Sequence, residues 1–275
     1  MRSNIIVLLI LIINLTLSAC STTPKKESTE QELYEDAKRA IKIRSFQQAT
    51  IALEELESRY PFGKYAEQAQ LDLIYARYSG LDLEGSKLAA DRFIRLHPQS
   101  PSVDYAYYVR GIANYYLDGG IASQYFPIVD VSSRDPGYMR LSFKDFSELL
   151  MRFPESPYAA DAQQRMIEVR NRLSAYELHA ARYYIKRQAY LAAANRAAYA
   201  VKSFPASPSV EEALNMMVSV YAKLGLDSQS EDALSVLKLN FPKGKSFNEN
   251  GQYTAMHKLD PERSLTSVIT FGLFE

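Results

Sequence analysis

The sequence has no tryptophan, one cysteine and three histidines among its 275 residues. A single cysteine cannot form an internal disulfide, so the stability of the folded chain must come from packing. The histidines, His97, His179 and His257, belong to no recognisable nucleophile–base set. The sequence also lacks a glycine-rich phosphate loop and a cluster with metal-ligand spacing. It therefore gives no support to catalysis or to a metal site.

An excess of one charge and a long apolar run are also missing. The 32 lysines and arginines balance the 32 aspartates and glutamates. Nucleic-acid-binding proteins need a basic face to neutralise phosphates, so this balance argues against a nucleic-acid partner. The apolar run from Ile5 to Leu17 is broken by Asn14 and Thr16. It is shorter than the roughly 20 residues that a transmembrane helix needs.

This N-terminal run has the architecture of a secretory signal, since Arg2 precedes it and Leu17-Ser18-Ala19-Cys20 ends it. The ending resembles the lipobox of bacterial lipoproteins, in which the cysteine sulfur receives a diacylglyceryl group and the new amine is acylated after cleavage. The resemblance implies a cleaved signal peptide at 1–19 and lipidation of Cys20, with no cofactor other than these covalent acyl chains. Two or more chains make membrane attachment stable, because each buried methylene contributes about 0.8 kcal/mol.

The residues after the cysteine extend this expectation. Lipoproteins of this type that carry aspartate after the cysteine stay at the inner membrane, so Ser21 implies the periplasmic face of the outer membrane. Residues 20–31 are polar and include Pro24, and we predict that they form a flexible tether. A plain secretory signal with an incidental cysteine, or an uncleaved anchor, is the alternative.

Aromatic–proline pairs divide the rest of the chain, in which apolar residues recur at helical spacing. Proline cannot continue a helix and pushes the residue before it out of the α region, so each pair ends one helix and prepares the next. Twelve positions before each proline lies a small residue, and apolar residues lie eight and five positions before it. These offsets share one helix face. The five pairs are Tyr60-Pro61, His97-Pro98, Phe153-Pro154, Phe204-Pro205 and Phe241-Pro242.

This pattern resembles the tetratricopeptide repeat, although two of the intervals between prolines are 37 residues rather than 34 and the consensus tryptophan is missing. We therefore predict an all-α fold, an α-solenoid of five tetratricopeptide-like helix pairs with an extended helix in the fourth unit and a C-terminal tail. An irregular helical bundle is the alternative.

The positions of the aromatic–proline pairs also predict the domain boundaries. Repeats one to three occupy 32–156, with an insertion loop at 118–137. A long helix over 157–187 and the C-terminal repeats occupy 157–242. The tail, 243–275, is predicted to be irregular. Its β-prone segment, 266–274, either adds a strand to a partner or packs on the last repeat.

Five short stretches of sequence resemble a particular protein family more closely than the general repeat pattern does. They are Arg59-Tyr60-Pro61-Phe62-Gly63, Gln70-Leu71-Asp72-Leu73-Ile74-Tyr75-Ala76, Asp91-Arg92-Phe93-Ile94-Arg95-Leu96, Asp104-Tyr105 with Arg110-Gly111, and Arg134-Asp135-Pro136. They are similar to segments of the BamD family, the tetratricopeptide lipoproteins of the outer-membrane β-barrel assembly machinery. The resemblance implies a scaffold without enzymatic activity that binds BamA, with BamC and BamE as further lipoprotein partners. Unfolded outer-membrane β-barrel proteins would be its substrates.

Two sets of residues are candidates for these contacts. We predict that a substrate peptide docks on aromatic and arginine side chains of the first repeats, Arg59, Tyr60, Phe62, Tyr65, Tyr75 and Arg77. We predict that BamA contacts a basic region near the fourth unit, Lys186, Arg187, Asn195, Arg196 and Lys202. Inter-helix packing for the tyrosines, and a merely solvated basic face, are the alternatives.

Another periplasmic tetratricopeptide adaptor, for example one that coordinates cell-division or peptidoglycan proteins, is the alternative function. A helical-repeat architecture by itself does not exclude such a role. The segments at 60–63 and 134–136 favour the assembly machinery.

Overall fold

The computed structural model of the chain describes residues 28–125 and 135–259, and the side chains within 28–118 and 135–259. Ten helices make up most of these residues and follow one another as five pairs. They are α1 Glu30–Lys42 and α2 Phe46–Arg59, α3 Ala66–Ser79 and α4 Leu83–Leu96, α5 Val103–Tyr125 and α6 Gly137–Arg152, α7 Ala159–Lys186 and α8 Tyr190–Ser203, and α9 Val210–Lys223 and α10 Asp227–Asn240. The predicted all-α fold of five helix pairs is confirmed, and α7, at 28 residues, is the extended helix of the fourth unit.

The chain divides into two compact units at Ala69 and Gln70, within α3. In the first unit α1 and α2 pack through their apolar faces. In the second unit each helix from α4 to α10 packs against the next, as in a tetratricopeptide-like solenoid. Among the described residues of the first unit, the core is small and apolar and consists of Leu33, Ala37, Ala40, Ala49, Leu53, Leu56, Ala66 and Ala69.

All five aromatic residues that precede the prolines cap the second helix of their pair in the same way. Their φ angles lie between −135° and −127° and their ψ angles between 52° and 61°. Each donates its backbone N–H to the carbonyl four residues earlier, for example Tyr60 to Leu56 at 2.8 Å. The proline that follows cannot continue the helix, so the same dipeptide produces the same turn five times.

The small residue twelve positions before each proline lets two helices of a pair approach closely. Ala49, Ser86, Ser142 and Ala193 are completely buried. The serine hydroxyls donate hydrogen bonds to backbone carbonyls of the facing helix, Ser86 to Ile74 at 3.0 Å and Ser142 to Gly111 at 2.9 Å. The serine therefore fills the same small space as alanine and also satisfies a buried carbonyl.

The turns inside the pairs repeat as well. Arg44, Leu81, Gln188 and Gly225 have φ between 58° and 69°, in the left-handed region that favours glycine. The first two are 37 residues apart, and so are the last two, which is the interval seen between the prolines. Three of the four turns therefore hold a residue with a side chain in a conformation that glycine adopts more easily.

Two predicted boundaries need correction. The predicted tether, 20–31, ends earlier, because Thr29 and Glu32 form a capping box that starts α1 at Glu30. The predicted insertion loop, 118–137, begins later, because α5 continues to Tyr125. Gly119 and Gly120 lie within this helix, because glycine inside a helix costs only about 1 kcal/mol relative to alanine. Residues 126–134 lie outside the described residues.

The first part of the tail lies on the last helix pair. Gly244 and Phe247 repeat the turn that elsewhere leads into the next helix, with N–H bonds of 3.0 Å to Phe241 and 3.3 Å to Gly244. No helix follows within the described residues, and Phe247 and Tyr253 instead pack on the apolar core that α9 and α10 share. Residues 244–259 thus cover the end of the repeat array, which in solenoids requires a capping element. The β-prone segment, 266–274, lies outside the described residues.

Candidate functional site

Four of the six predicted peptide-binding residues lie in the first unit, at or beside the turn that joins α2 to α3. Arg59 pairs with Glu55 at 2.9 Å, and the Tyr60 hydroxyl donates a hydrogen bond to the Ser28 carbonyl at 3.1 Å. Tyr65 stacks on Tyr34 with ring centroids 4.6 Å apart. Tyr60 and Tyr65 tie the turn to the start of the first unit, whereas the Arg59 pair lies within α2. Phe62, in contrast, is 99% exposed.

The other two predicted residues, Tyr75 and Arg77, lie in the second unit. Arg77 donates a hydrogen bond to the Gly85 carbonyl at 2.9 Å and approaches Asp82 at 3.9 Å, so it fastens the turn between α3 and α4. Tyr75 is 43% exposed. Of the two, only Tyr75 presents a ring that a ligand can reach.

Tyr75 neighbours a group of half-buried tyrosines, which we call the tyrosine surface. Its members come from the first helices of the second and third pairs and from the start of the fourth: Tyr78, Tyr105, Tyr108, Tyr115, Tyr116 and Tyr158. Tyr108 and Tyr158 stack with centroids 4.7 Å apart. Arg165 lies over the rings of Tyr115 and Tyr116, at 5.4 and 5.8 Å. Such rings combine an apolar face with a hydroxyl that stays wet, which suits contact with an extended aromatic peptide.

The hydroxyls of Tyr105 and Tyr108 remain protonated at physiological pH. Burial raises the pKa of Tyr105, and the nearby carboxylate of Asp72 raises it further. Burial and a hydrogen bond to Asp161, at 2.8 Å, raise the pKa of Tyr108 to about 12. These two side chains are therefore neutral rather than anionic.

Of the three tyrosines in the predicted peptide site, Tyr60, Tyr65 and Tyr75, only Tyr75 lies near this surface. Tyrosine suits packing and binding equally, and the sequence did not indicate which helix faces would meet. The available signal was the three-residue spacing of Tyr105 and Tyr108, which places both on one face of a helix.

The five predicted partner residues lie along α7 and α8 and do not form one cluster. Lys186 and Arg187 are exposed at the end of α7, and Lys202 is exposed near the far end of α8. Twelve residues separate Tyr190, at the start of α8, from Lys202, so about 18 Å of helix lies between the two charged ends.

Arg196, near the middle of α8, is paired inside the protein. It donates a hydrogen bond to Glu177 of α7 at 2.9 Å, and Glu177 is almost completely buried. Arg140 of α6 approaches the same carboxylate at 3.6 Å. The hydrogen bond to Glu177 raises the pKa of Arg196, so this arginine keeps its charge and ties α8 to α7.

The solvent side of α8 carries two large apolar residues that the sequence reading missed. Leu191 is 59% exposed and Tyr199 is 49% exposed. With Asn195 and Lys202 they recur at intervals of four, four and three residues, so the four form one stripe, which we call the α8 face. Two exposed apolar side chains within a polar and basic rim are typical of a protein-binding surface.

Arg110 and Gly111, from one of the quoted segments, have structural roles. Arg110 lies 2.5 Å from Asp91 and 2.7 Å from the buried Asp145, and so joins α4, α5 and α6. A β-carbon on Gly111 would lie 2.6 Å from the Phe146 ring, so only glycine fits there without a shift. This segment therefore marks packing rather than a binding site.

Residues 28–125 and 135–259 offer neither a cluster of metal ligands nor a membrane-spanning helix. Among these residues there is no group of three or more histidine, cysteine, aspartate or glutamate side chains that could hold a metal ion. None of their helices combines the length and apolar character required to span a bilayer. Cys20 lies outside the described residues.

Comparison with known proteins agrees with the fold. A family model described as YfiO, outer membrane lipoprotein, matches residues 26–237, which run from before α1 into α10. The match ends before the tail that covers α9.

Curated relatives are similar over most of the chain. The outer membrane protein assembly factor BamD of Neisseria meningitidis serogroup A is 40% identical over 249 residues, which are 86% of this chain and 91% of the relative. BamD of Vibrio cholerae serotype O1 is 38% identical over 226 residues, 82% of this chain and 93% of the relative. BamD of Xylella fastidiosa strain Temecula1 is 32% identical over 254 residues, 89% and 86% of the two chains.

Proposed function

The chain belongs to the BamD family of outer-membrane protein assembly factors, and from this premise we propose that it is a lipid-anchored scaffold without enzymatic activity. It would work at the periplasmic face of the outer membrane, in the machinery that inserts β-barrel proteins. The observation that carries this proposal is the extent of the match, since relatives named as assembly factors align over 82–89% of the chain.

The α8 face is the surface proposed to bind BamA. Leu191 and Tyr199 would supply the buried apolar contacts on which most binding free energy depends. Asn195 lies between them, and the exposed Lys202 adds charge at the rim. Rim charges chiefly accelerate association and set its salt dependence. Arg196 would act mainly by holding α8 in place through Glu177.

A double substitution tests this surface. Leu191→Ala with Tyr199→Ala should reduce the BamA recovered with the tagged chain in mild detergent about tenfold or more, because interface residues of this kind each contribute upwards of about 1 kcal/mol. The matched control is Val236→Ala with Leu239→Ala, which removes two exposed apolar side chains from α10. Equal recovery of BamA with both doubles would contradict the assignment.

Arg196→Glu is a less specific test of the same surface. It would place a second carboxylate beside the buried Glu177, so lost binding could reflect lost folding.

The tyrosine surface is proposed to receive segments of unfolded β-barrel precursors. Such segments are rich in aromatic residues, and half-buried tyrosine rings with protonated hydroxyls match them in shape and polarity. A photo-crosslinking amino acid in place of the exposed Tyr75 should capture a precursor during assembly. The same group in place of Met151, which is 76% exposed on α6, serves as the control. Capture at 151 but not at 75 would count against this surface.

A further inference from the structure

Phe62 has the highest exposure of the large apolar residues whose side chains are described. It follows the proline in the turn that joins α2 to α3. The equivalent positions of the other four turns hold Gln99, Glu155, Ala206 and Lys243. None of these is large and apolar, so the turn itself does not require phenylalanine. Its ring contributes nothing to packing within the first unit, and its presence calls for an external contact.

The turn that carries Phe62, residues 60–65, is held rigidly. Gly63 donates its N–H to the Tyr60 carbonyl at 3.0 Å, and Tyr65 donates its N–H to the Glu30 carboxylate at 2.6 Å. Tyr65 also stacks on Tyr34. A partner that binds Phe62 would therefore meet a fixed side chain and need not order the loop.

The chain enters the folded body beside this same turn. The Tyr60 hydroxyl donates a hydrogen bond to the Ser28 carbonyl at 3.1 Å, and the capping box at Thr29 begins α1 immediately afterwards. Cys20, the expected lipidation site, lies eight residues before Ser28. Eight residues reach at most about 29 Å, so acyl chains on Cys20 would keep the turn close to the lipid headgroups.

Lysine side chains near the turn are able to meet lipid phosphates. Lys64 is exposed two residues from Phe62, and Lys25 and Lys26 precede the body in sequence. Lysines near a membrane surface are attracted to anionic headgroups, and aromatic rings favour the interfacial layer. The Glu30 carboxylate accepts the Tyr65 N–H at 2.6 Å and is therefore directed at the backbone of the turn.

We propose that the 60–65 turn is a membrane contact, in which Phe62 inserts into the interfacial layer of the phospholipid bilayer and Lys64 meets the headgroup phosphates. This contact would fix the orientation of the first unit beside its lipid anchor. The proposal rests on the anchor that the proposed function includes, and it replaces the predicted role of Phe62 in peptide binding.

The absence of tryptophan makes a direct test possible. Phe62→Trp introduces a single tryptophan at an exposed position, and Gln99→Trp and Ala206→Trp place it at the equivalent position of two other turns. Each full-length acylated variant is reconstituted into vesicles of phosphatidylethanolamine with a minority of phosphatidylglycerol, with and without brominated lipid. We expect blue-shifted emission that brominated lipid quenches at position 62, and unquenched emission at positions 99 and 206.

Two results would overturn the proposal. Emission at position 62 that lipid does not quench, in a chain that floats with the vesicles, would exclude the contact. Emission at position 62 that changes only when an unfolded β-barrel precursor is added would assign Phe62 to peptide binding instead. Mass spectrometry of the same samples checks acylation. A chain without acyl groups would remove the anchor and this contact together, while leaving the BamA test of the α8 face unaffected.

Discussion

Gly111 shows how closely the two helices of a pair approach. Its carbonyl accepts the Ser142 hydroxyl, and a β-carbon there would lie 2.6 Å from Phe146. Gly111→Ala should lower the free energy of unfolding by about 1–3 kcal/mol, because overpacking outweighs the higher helix propensity of alanine. Chemical denaturation measures this change.

Gly137 is the matched control for that substitution. It begins α6, and the nearest neighbouring atom to an added β-carbon would be 3.5 Å away, an ordinary contact. Gly137→Ala should be neutral or stabilise by up to about 1 kcal/mol. If both variants unfolded at the same denaturant concentration, the close approach at Gly111 would be wrong.

Glu212 links stability to pH. Burial alone would raise the pKa of this carboxyl, but hydrogen bonds from His257 and Arg182 more than offset burial and leave its pKa below the usual value of 4.5. Because the pKa of this carboxyl is lower in the folded than in the unfolded state, the ionised form stabilises the fold at every pH above the unfolded-state pKa. This stabilisation is lost as the pH falls through the folded-state pKa. Glu212→Gln should therefore cost about 1–2 kcal/mol near neutral pH.

The pH dependence of the stability lost in Glu212→Gln shows whether the negative charge of Glu212 or only the shape of its side chain stabilises the fold. The difference in unfolding free energy between wild type and Glu212→Gln should shrink as the pH falls below about 4.5. Glu231→Gln, at an exposed position of α10, should leave the stability unchanged at every pH. A Glu212 variant whose deficit stayed constant with pH would contradict the role of the ionised carboxylate.

Among the elements, the tail segment 244–259 is the one whose contribution is easiest to isolate. Tyr253 donates its hydroxyl to the Asn215 carbonyl at 2.9 Å, and Asn215 in turn donates to the Thr254 carbonyl at 2.8 Å. Tyr253→Ala should destabilise the last helix pair by about 2–3 kcal/mol, through lost packing and the lost hydrogen bond from its hydroxyl. Hydrogen exchange should accelerate in α9 and α10 and stay unchanged in α5 and α6.

Asn250→Ala is the control for the tail. Asn250 is exposed, and only its backbone N–H bonds within the turn, to the Asn248 side chain. Exchange in α9 and α10 should match the wild type. Equal protection in the Tyr253 and Asn250 variants would show that the tail does not cap the array.

The helices could be predicted because the residues that end them are adjacent in sequence. The aromatic–proline dipeptides end each second helix by backbone chemistry alone. The small and apolar residues before them are buried as the spacing required, except that Ser230 and Leu234 of the last pair are half-buried. The errors at 28–31 and 118–125 arose where local signals were weak. A capping box resembled a polar tether, and two glycines inside α5 resembled a break.

The binding surfaces were harder to predict, because they depend on which faces remain uncovered after packing. Arg77 and Arg196 looked like ligand-binding cations, yet Arg77 bonds to the Gly85 carbonyl and Arg196 to Glu177. Leu191 and Tyr199 were not among the predicted binding residues, yet both are exposed. Neighbours distant in sequence decide these outcomes, and a single sequence does not identify them.

At the scale of the whole molecule, the three proposed roles belong to different parts of the chain. The acylated Cys20 is proposed to hold the body at the membrane, the tyrosine surface to receive precursors, and the α8 face to bind BamA. Each role occupies a different set of residues, so a substitution in one should leave the other two intact. This separation is what the variants of Tyr75, Leu191 and Phe62 examine.

The most direct test of the assembly role is depletion of this chain from its own bacterium, with folded β-barrel proteins of the outer membrane quantified by mass spectrometry. We predict that these proteins decline, and that wild type and Val236→Ala with Leu239→Ala restore them while Leu191→Ala with Tyr199→Ala does not. Unchanged levels of folded β-barrels after depletion, with a defect only in cell division or the peptidoglycan wall, would contradict the assembly function.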